Sequence, residues 1–91
     1  MKKIYIIITG TVTGVGFRWW LKTEAQKRKI YGFVRNRNKN EVEAVLLGNK
    51  EDLDIVINLC RKGPALSKVE NIKIQDYQQQ YFKNSFDIMR D

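Results

Sequence analysis

Apolar residues recur along the chain in short segments, and their periods predict its elements. Lys3–Thr9 (KIYIIIT) is β-branched and aromatic and is closed by Gly10, the pattern of a short central strand. After a glycine-rich stretch, Phe17, Trp20, Leu21 and Ala25 repeat at i, i+3, i+4 and i+8, while Lys22, Lys27 and Arg28 lie off that stripe. A helix from about Arg18 to Lys29 follows. Within it the adjacent Trp19 and Trp20 point about 100° apart; Trp20 fits the core stripe and Trp19 faces outward. Tyr31–Asn36 (YGFVRN) and Glu41–Gly48 (EVEAVLLG) read as two strands joined by the turn residues RNKN, hence as a hairpin.

Asn49 is placed to cap a second helix, with Glu51 and Asp52 in its first turn. Leu53, Val56, Ile57 and Cys60 form its buried stripe, and Arg61, Lys62, Gly63 and Pro64 end it. Lys68–Tyr77 (KVENIKIQDY) gives a fourth strand, and Phe86–Arg90 (FDIMR) a short final strand at an edge. The order strand, helix, strand, strand, helix, strand predicts an α+β ferredoxin-like α/β sandwich (βαββαβ). Its antiparallel sheet would carry both helices on one face. In that topology the second strand returns beside the first, which brings Asn36 toward the loop after strand one. The 91 residues suffice for a single domain over 1–91. The fold itself hosts many functions and licenses none.

Composition narrows the chemistry. There is no histidine and one cysteine, Cys60, so histidine acid–base catalysis and an intrachain disulfide are excluded. Zinc, haem and iron–sulfur sites would lack their usual ligands, and no metal or cofactor is expected. The run IYIII after Lys2 and Lys3 is too short for a secretory signal or for the roughly 20 residues of a membrane span. A cytoplasmic protein with no membrane partner is expected. Seventeen Lys and Arg against ten Asp and Glu give a net charge of +7, which favours an anionic partner or simply a solvated surface.

The stretch Gly10–Arg18 (GTVTGVGFR) is where an anion could be held. A strand-to-helix loop sets its N–H groups beside the positive end of a helix dipole, and Gly10, Gly14 and Gly16 permit the angles that make those groups converge. Arg18 adds a planar fork suited to phosphate oxygens. The same glycines could equally form a plain connector, and Asn36 could serve only its turn. The loop is neither a P-loop, since Phe17 and Arg18 follow Gly16, nor a dinucleotide fingerprint, since Trp19 stands where the third glycine belongs.

GTVTGVGFR resembles the signature loop of the acylphosphatases, Gly-x-Val-Gln-Gly-Val-Gly-Phe-Arg, and Gly32–Asn36 (GFVRN) resembles their second signature, Gly-aromatic-Val-x-Asn. Ala25, Gly63-Pro64, the SKV of 67–69 and the terminal F-x-I-x-R of Phe86–Arg90 also stand where that family has them. The resemblance covers essentially the whole chain. It departs at Thr13, where the family has glutamine, and at Arg28-Lys29, where Leu-Gly is common. It implies metal-independent hydrolysis of the carboxyl–phosphate bond of small acyl phosphates. Arg18 and the amides of Thr13, Gly14, Val15, Gly16, Phe17 and Arg18 would hold the phosphoryl group, and Asn36 would orient the attacking water, in a protein expected to be a monomer.

Two other readings stay open at this stage: a catalytically inactive anion-binding module, and an RNA-binding domain of similar fold. Lys29–Asn36 partly imitates the RNA-recognition signature, but it falls on the second predicted strand and ends in Asn36 rather than an aromatic, so no nucleic-acid partner is expected.

Overall fold

In the computed structural model, which describes residues 1–90, the elements follow the predicted order. They are β1 (Lys2–Thr11), α1 (Phe17–Lys27), β2 (Tyr31–Asn38), β3 (Glu41–Gly48), α2 (Lys50–Lys62), β4 (Lys68–Asp76) and β5 (Phe86–Ile88). The sheet order is β4-β1-β3-β2-β5.

Alternation decides which face is covered. Ile4, Ile6 and Ile8 of β1, Val34 of β2, and Val42, Ala44 and Leu46 of β3 are buried and share one core with Phe17, Leu21 and Ala25 of α1 and Leu53, Val56, Ile57 and Cys60 of α2. Both helices therefore lie on one face of the sheet. Cys60 has its thiol pushed up to about 12, chiefly by burial and secondarily by the Glu24 carboxylate, so it behaves as a small apolar filler. Trp19 is 67% exposed. Trp20 is half-buried and meets the Phe17 ring edge-on, with centroids 5.3 Å apart.

Two expectations about the sheet are corrected. β1, β3, β2 and β4 pair antiparallel, but β5 pairs parallel with β2, so the sheet is mixed. The cause is the path after β4: residues 77–85 cross to the opposite edge and enter β5 at the level where β2 begins, with Gly32 opposite Phe86. Nor does β2 return beside β1. The hairpin lays β3 between them, leaving β1 and β2 parallel in direction and one strand apart.

The uncovered face of β3 is also buried at Glu43, Val45 and Leu47. Glu43 accepts hydrogen bonds from the Tyr5 hydroxyl and from Arg35 Nε, the latter at 2.5 Å. Burial pushes the Glu43 carboxyl upward, but these two donors outweigh it and leave it below the usual carboxylate range. Tyr81 crosses the same face, donating to the Gly32 carbonyl at 2.9 Å, with its ring centroid 6.3 Å from that of Phe33.

The first helix ends two residues earlier than its periodicity predicts, and the reason is local. Ile30 N–H donates to the Ala25 carbonyl at 2.9 Å, and Lys29 N–H to Gln26 at 3.2 Å, with Lys29 left-handed at φ 54°. These are the paired bonds of a Schellman stop, whose left-handed residue is ordinarily glycine. A lysine there carries a Cβ penalty. Lys29→Gly is expected to stabilise the protein by about 1 kcal/mol, read as a raised urea midpoint at unchanged slope; a lower midpoint would refute it.

Candidate active site

The stretch GTVTGVGFR divides into two parts with different tasks. Gly10 and Thr11 still belong to β1, and the register with β4 shifts between Thr9 and Gly10. Gly10, at φ 140°, lies so close to β4 that a Cβ would collide with the Lys68 carbonyl oxygen. It therefore serves strand packing and not the loop, a correction to its expected place among the loop glycines. Val12 is buried, and residues 13–16 form a run of bends before α1.

Gly14 and Gly16 are left-handed, at φ 70° and 78°, and a Cβ at either would meet nothing within 4 Å. Their value is conformational. Gly16 is the N-cap of α1 and offers no side chain to the helix, while its carbonyl accepts the first helical bond, from Trp20 N–H at 3.0 Å. There is no acidic residue in the first turn. Consequently the N–H groups from Thr13 through Trp19 reach no acceptor among the described residues. They stand at the positive end of the α1 dipole, which is the arrangement that attracts an anion.

Phe17 is 1% exposed, so its ring anchors the loop to the core and only its N–H faces outward. Val15 is partly buried against the same core. Arg18, in the first turn of α1, is half-exposed, and its guanidinium has no hydrogen-bond or ion-pair partner among the described residues.

Thr13 makes a contact that sequence reasoning missed. Its hydroxyl donates to the Lys39 carbonyl at 2.6 Å, and Gly10 N–H donates to the Asn40 carbonyl at 2.9 Å. The loop is thereby tied to the β2–β3 turn. That turn is tighter than RNKN suggested. β2 continues to Asn38 through a register shift after Asn36, and the Asn38 side chain accepts from Asn40 N–H at 2.9 Å.

Asn36 pairs with Val42, and Val42 with Ile8, in a row that crosses the helix-covered face. It follows the buried Val34 by two residues and so points to the same face. Because β1 and β2 run in the same direction, Asn36 sits at the sheet end where the loop begins. Its Oδ1 is buried and has no hydrogen-bond partner among the described residues. Such an atom costs roughly 1–3 kcal/mol unless something else satisfies it. No hydrogen bond joins Asn36 to Arg18 or to the loop among the described residues; β3 and the Thr13–Lys39 tie connect them.

Beside Arg18 an open cleft of about 440 Å³ is lined by Arg18, Trp19, Lys22, Asp87, Ile88 and Arg90. It reaches the loop only through Arg18. The spacing of Arg18 and Lys22 on one helix face was visible in the sequence; the approach of Arg90 depended on the parallel placement of β5.

Comparison with known proteins gives a consistent result. The family model for acylphosphatase matches residues 4–88. An acylphosphatase of Azorhizobium caulinodans is 44% identical over 70 residues, 77% of this chain and 75% of that protein. One of Bacillus licheniformis is 40% identical over 76 residues, 84% of each. The crystal structure of acylphosphatase from Bacillus subtilis matches with a TM-score of 0.91 at 34% identity, covering 98% of this chain and 99% of that one.

Proposed function

Because the chain belongs to the acylphosphatase family and is an acylphosphatase, we propose that it cleaves the carboxyl–phosphate bond of small acyl phosphates without a metal, by holding the phosphoryl group in the loop and positioning water with Asn36. The N–H groups of Thr13 to Arg18 and the Arg18 guanidinium surround the three non-bridging phosphoryl oxygens. The attacking water donates to Asn36 Oδ1, which turns its lone pair toward phosphorus. As the water oxygen bonds to phosphorus, the bond to the carboxylate oxygen breaks and the acyl group leaves with that electron pair. The water's proton passes to the phosphate or to solvent.

This reaction suits the residues present. A carboxylate is a good leaving group and needs no general acid, and the loose phosphoryl-transfer transition state asks chiefly for positioning and charge stabilisation. The observation that carries the reading is Asn36 Oδ1: a buried acceptor with no partner among the described residues, at the end of the sheet from which the loop departs. The enzyme is read as a cytoplasmic monomer with Cys60 kept as a free thiol, and with neither nucleic acid nor membrane as partner.

The test is release of phosphate from acetyl phosphate by the purified protein with a chelator present and with RNA added as competitor. Turnover insensitive to both, and competitively inhibited by inorganic phosphate, is the expected result. Dependence on an added metal, or salt-sensitive RNA binding that blocks turnover, would overturn it.

A further inference from the structure

The cleft beside Arg18 carries more positive charge than the reaction requires. It gathers three cations, Arg18, Lys22 and Arg90, against one carboxylate, Asp87. Elsewhere in the molecule Arg28, Arg35 and Arg37 each hold a glutamate. The three cleft cations hold no carboxylate among the described residues, although Asp87 lines the same cleft. Asp87 instead accepts from the Ser85 hydroxyl at 2.8 Å.

The placement has a structural cause. Arg18 and Lys22 are four residues apart on α1 and so share a face. Trp19 holds the Lys22 ammonium 5.5 Å from its ring centroid, which orders a side chain that would otherwise sample many rotamers. Arg90 is delivered by β5, the edge strand parallel to β2, and α1 packs on that strand. The volume of about 440 Å³ falls in the range of small-molecule clefts, roughly 300–1,000 Å³.

We propose that this cleft is a second anion site, in which Lys22 and Arg90 hold a negatively charged group on the acyl moiety of the substrate while the Trp19 ring forms the wall beside it. The proposal rests on the catalytic reading given above. With Arg18 committed to the phosphoryl group, Lys22 and Arg90 still outnumber Asp87, and Arg18 is the residue shared by loop and cleft. An acyl group attached to a phosphoryl group held by Arg18 therefore has this cleft beside it. The substrates this enzyme favours are then acyl phosphates whose acyl part bears a second anion.

The test compares benzoyl phosphate with 4-carboxybenzoyl phosphate, a rigid pair that differ by one carboxylate. The kcat/KM for each is measured at low and high salt in the wild type and in the Lys22→Gln/Arg90→Gln double variant. At low salt the wild type is expected to favour the carboxylate-bearing substrate about five- to tenfold over the ratio shown by the double variant. Benzoyl phosphate should be turned over alike by both proteins, and high salt should erase the difference. Taking the ratio between proteins cancels the electronic effect of the carboxylate on the leaving group. Asp87→Asn should enlarge the preference. Equal ratios in wild type and double variant would overturn the second site while leaving the catalytic reading intact. Failure to turn over either substrate would overturn both.

Discussion

Arg18→Ala is expected to lower kcat/KM for acetyl phosphate by about 10³-fold or more and to abolish competitive inhibition by inorganic phosphate. The residue sits in the first turn of α1, two positions after the left-handed Gly16 and beside the N–H groups that reach no acceptor among the described residues. In the proposed mechanism the amides supply partial charges, and the guanidinium supplies the full charge and a fork matched to two phosphoryl oxygens. Among the described residues Arg18 has no hydrogen-bond or ion-pair partner, so its loss leaves no carboxylate unpaired and the thermal midpoint should barely move. Arg18→Lys restores charge without the fork and should recover only part of the rate. The assay is phosphate release with and without added phosphate. Wild-type kinetics in Arg18→Ala would remove the residue from the site.

Asn36→Ala separates turnover from binding. We expect kcat to fall by about 10²- to 10³-fold while the inhibition constant of phosphate stays within about twofold, because the proposed mechanism assigns the positioning of water and the holding of phosphate to different elements. Stability should move the other way. Asn36 Oδ1 is buried without a partner among the described residues, and removing such an atom relieves a desolvation cost of roughly 1–3 kcal/mol. A variant both slower and more resistant to urea is the signature of a polar group kept for chemistry. A variant less stable than wild type, with phosphate binding lost as well, would mark Asn36 as a turn residue instead.

Much of this was legible in the amino-acid sequence because the informative signals are periodic or local. The β-branched run from Ile4 to Ile8 marks a strand, and the stripe of Leu53, Val56, Ile57 and Cys60 assigns the buried face of α2, without reference to the rest of the chain; that Ile4, Ile6 and Ile8 rather than Ile7 face the helices is not legible in so uniformly apolar a run. Glycine spacing located the loop, since Gly14 and Gly16 adopt angles that few other residues accept. What was not legible depends on which strands meet. The proximity of β4 at Gly10, the parallel docking of β5 and the interposition of β3 are decided by long-range pairing, and no short window of residues encodes them. Thr13 shows the same limit at the scale of one side chain. Its identity suggested a lost glutamine; its bond to the Lys39 carbonyl could be found only by knowing where the β2–β3 turn lies.

The row Ile8–Val42–Asn36 has a bearing on quality control in the cell. Side chains alternate between the two faces of a strand, so sliding β2 by one residue against β3 would turn Asn36 away from the helices and bring a charged neighbour, Arg35 or Arg37, inward. A misregistered molecule would bury a cation among isoleucines and would also lose the amide proposed to position water. The alignment that makes the core dry is therefore the alignment that sets Asn36 at the loop end of the sheet. Misaligned molecules would be marked for removal by their instability before their inactivity could matter.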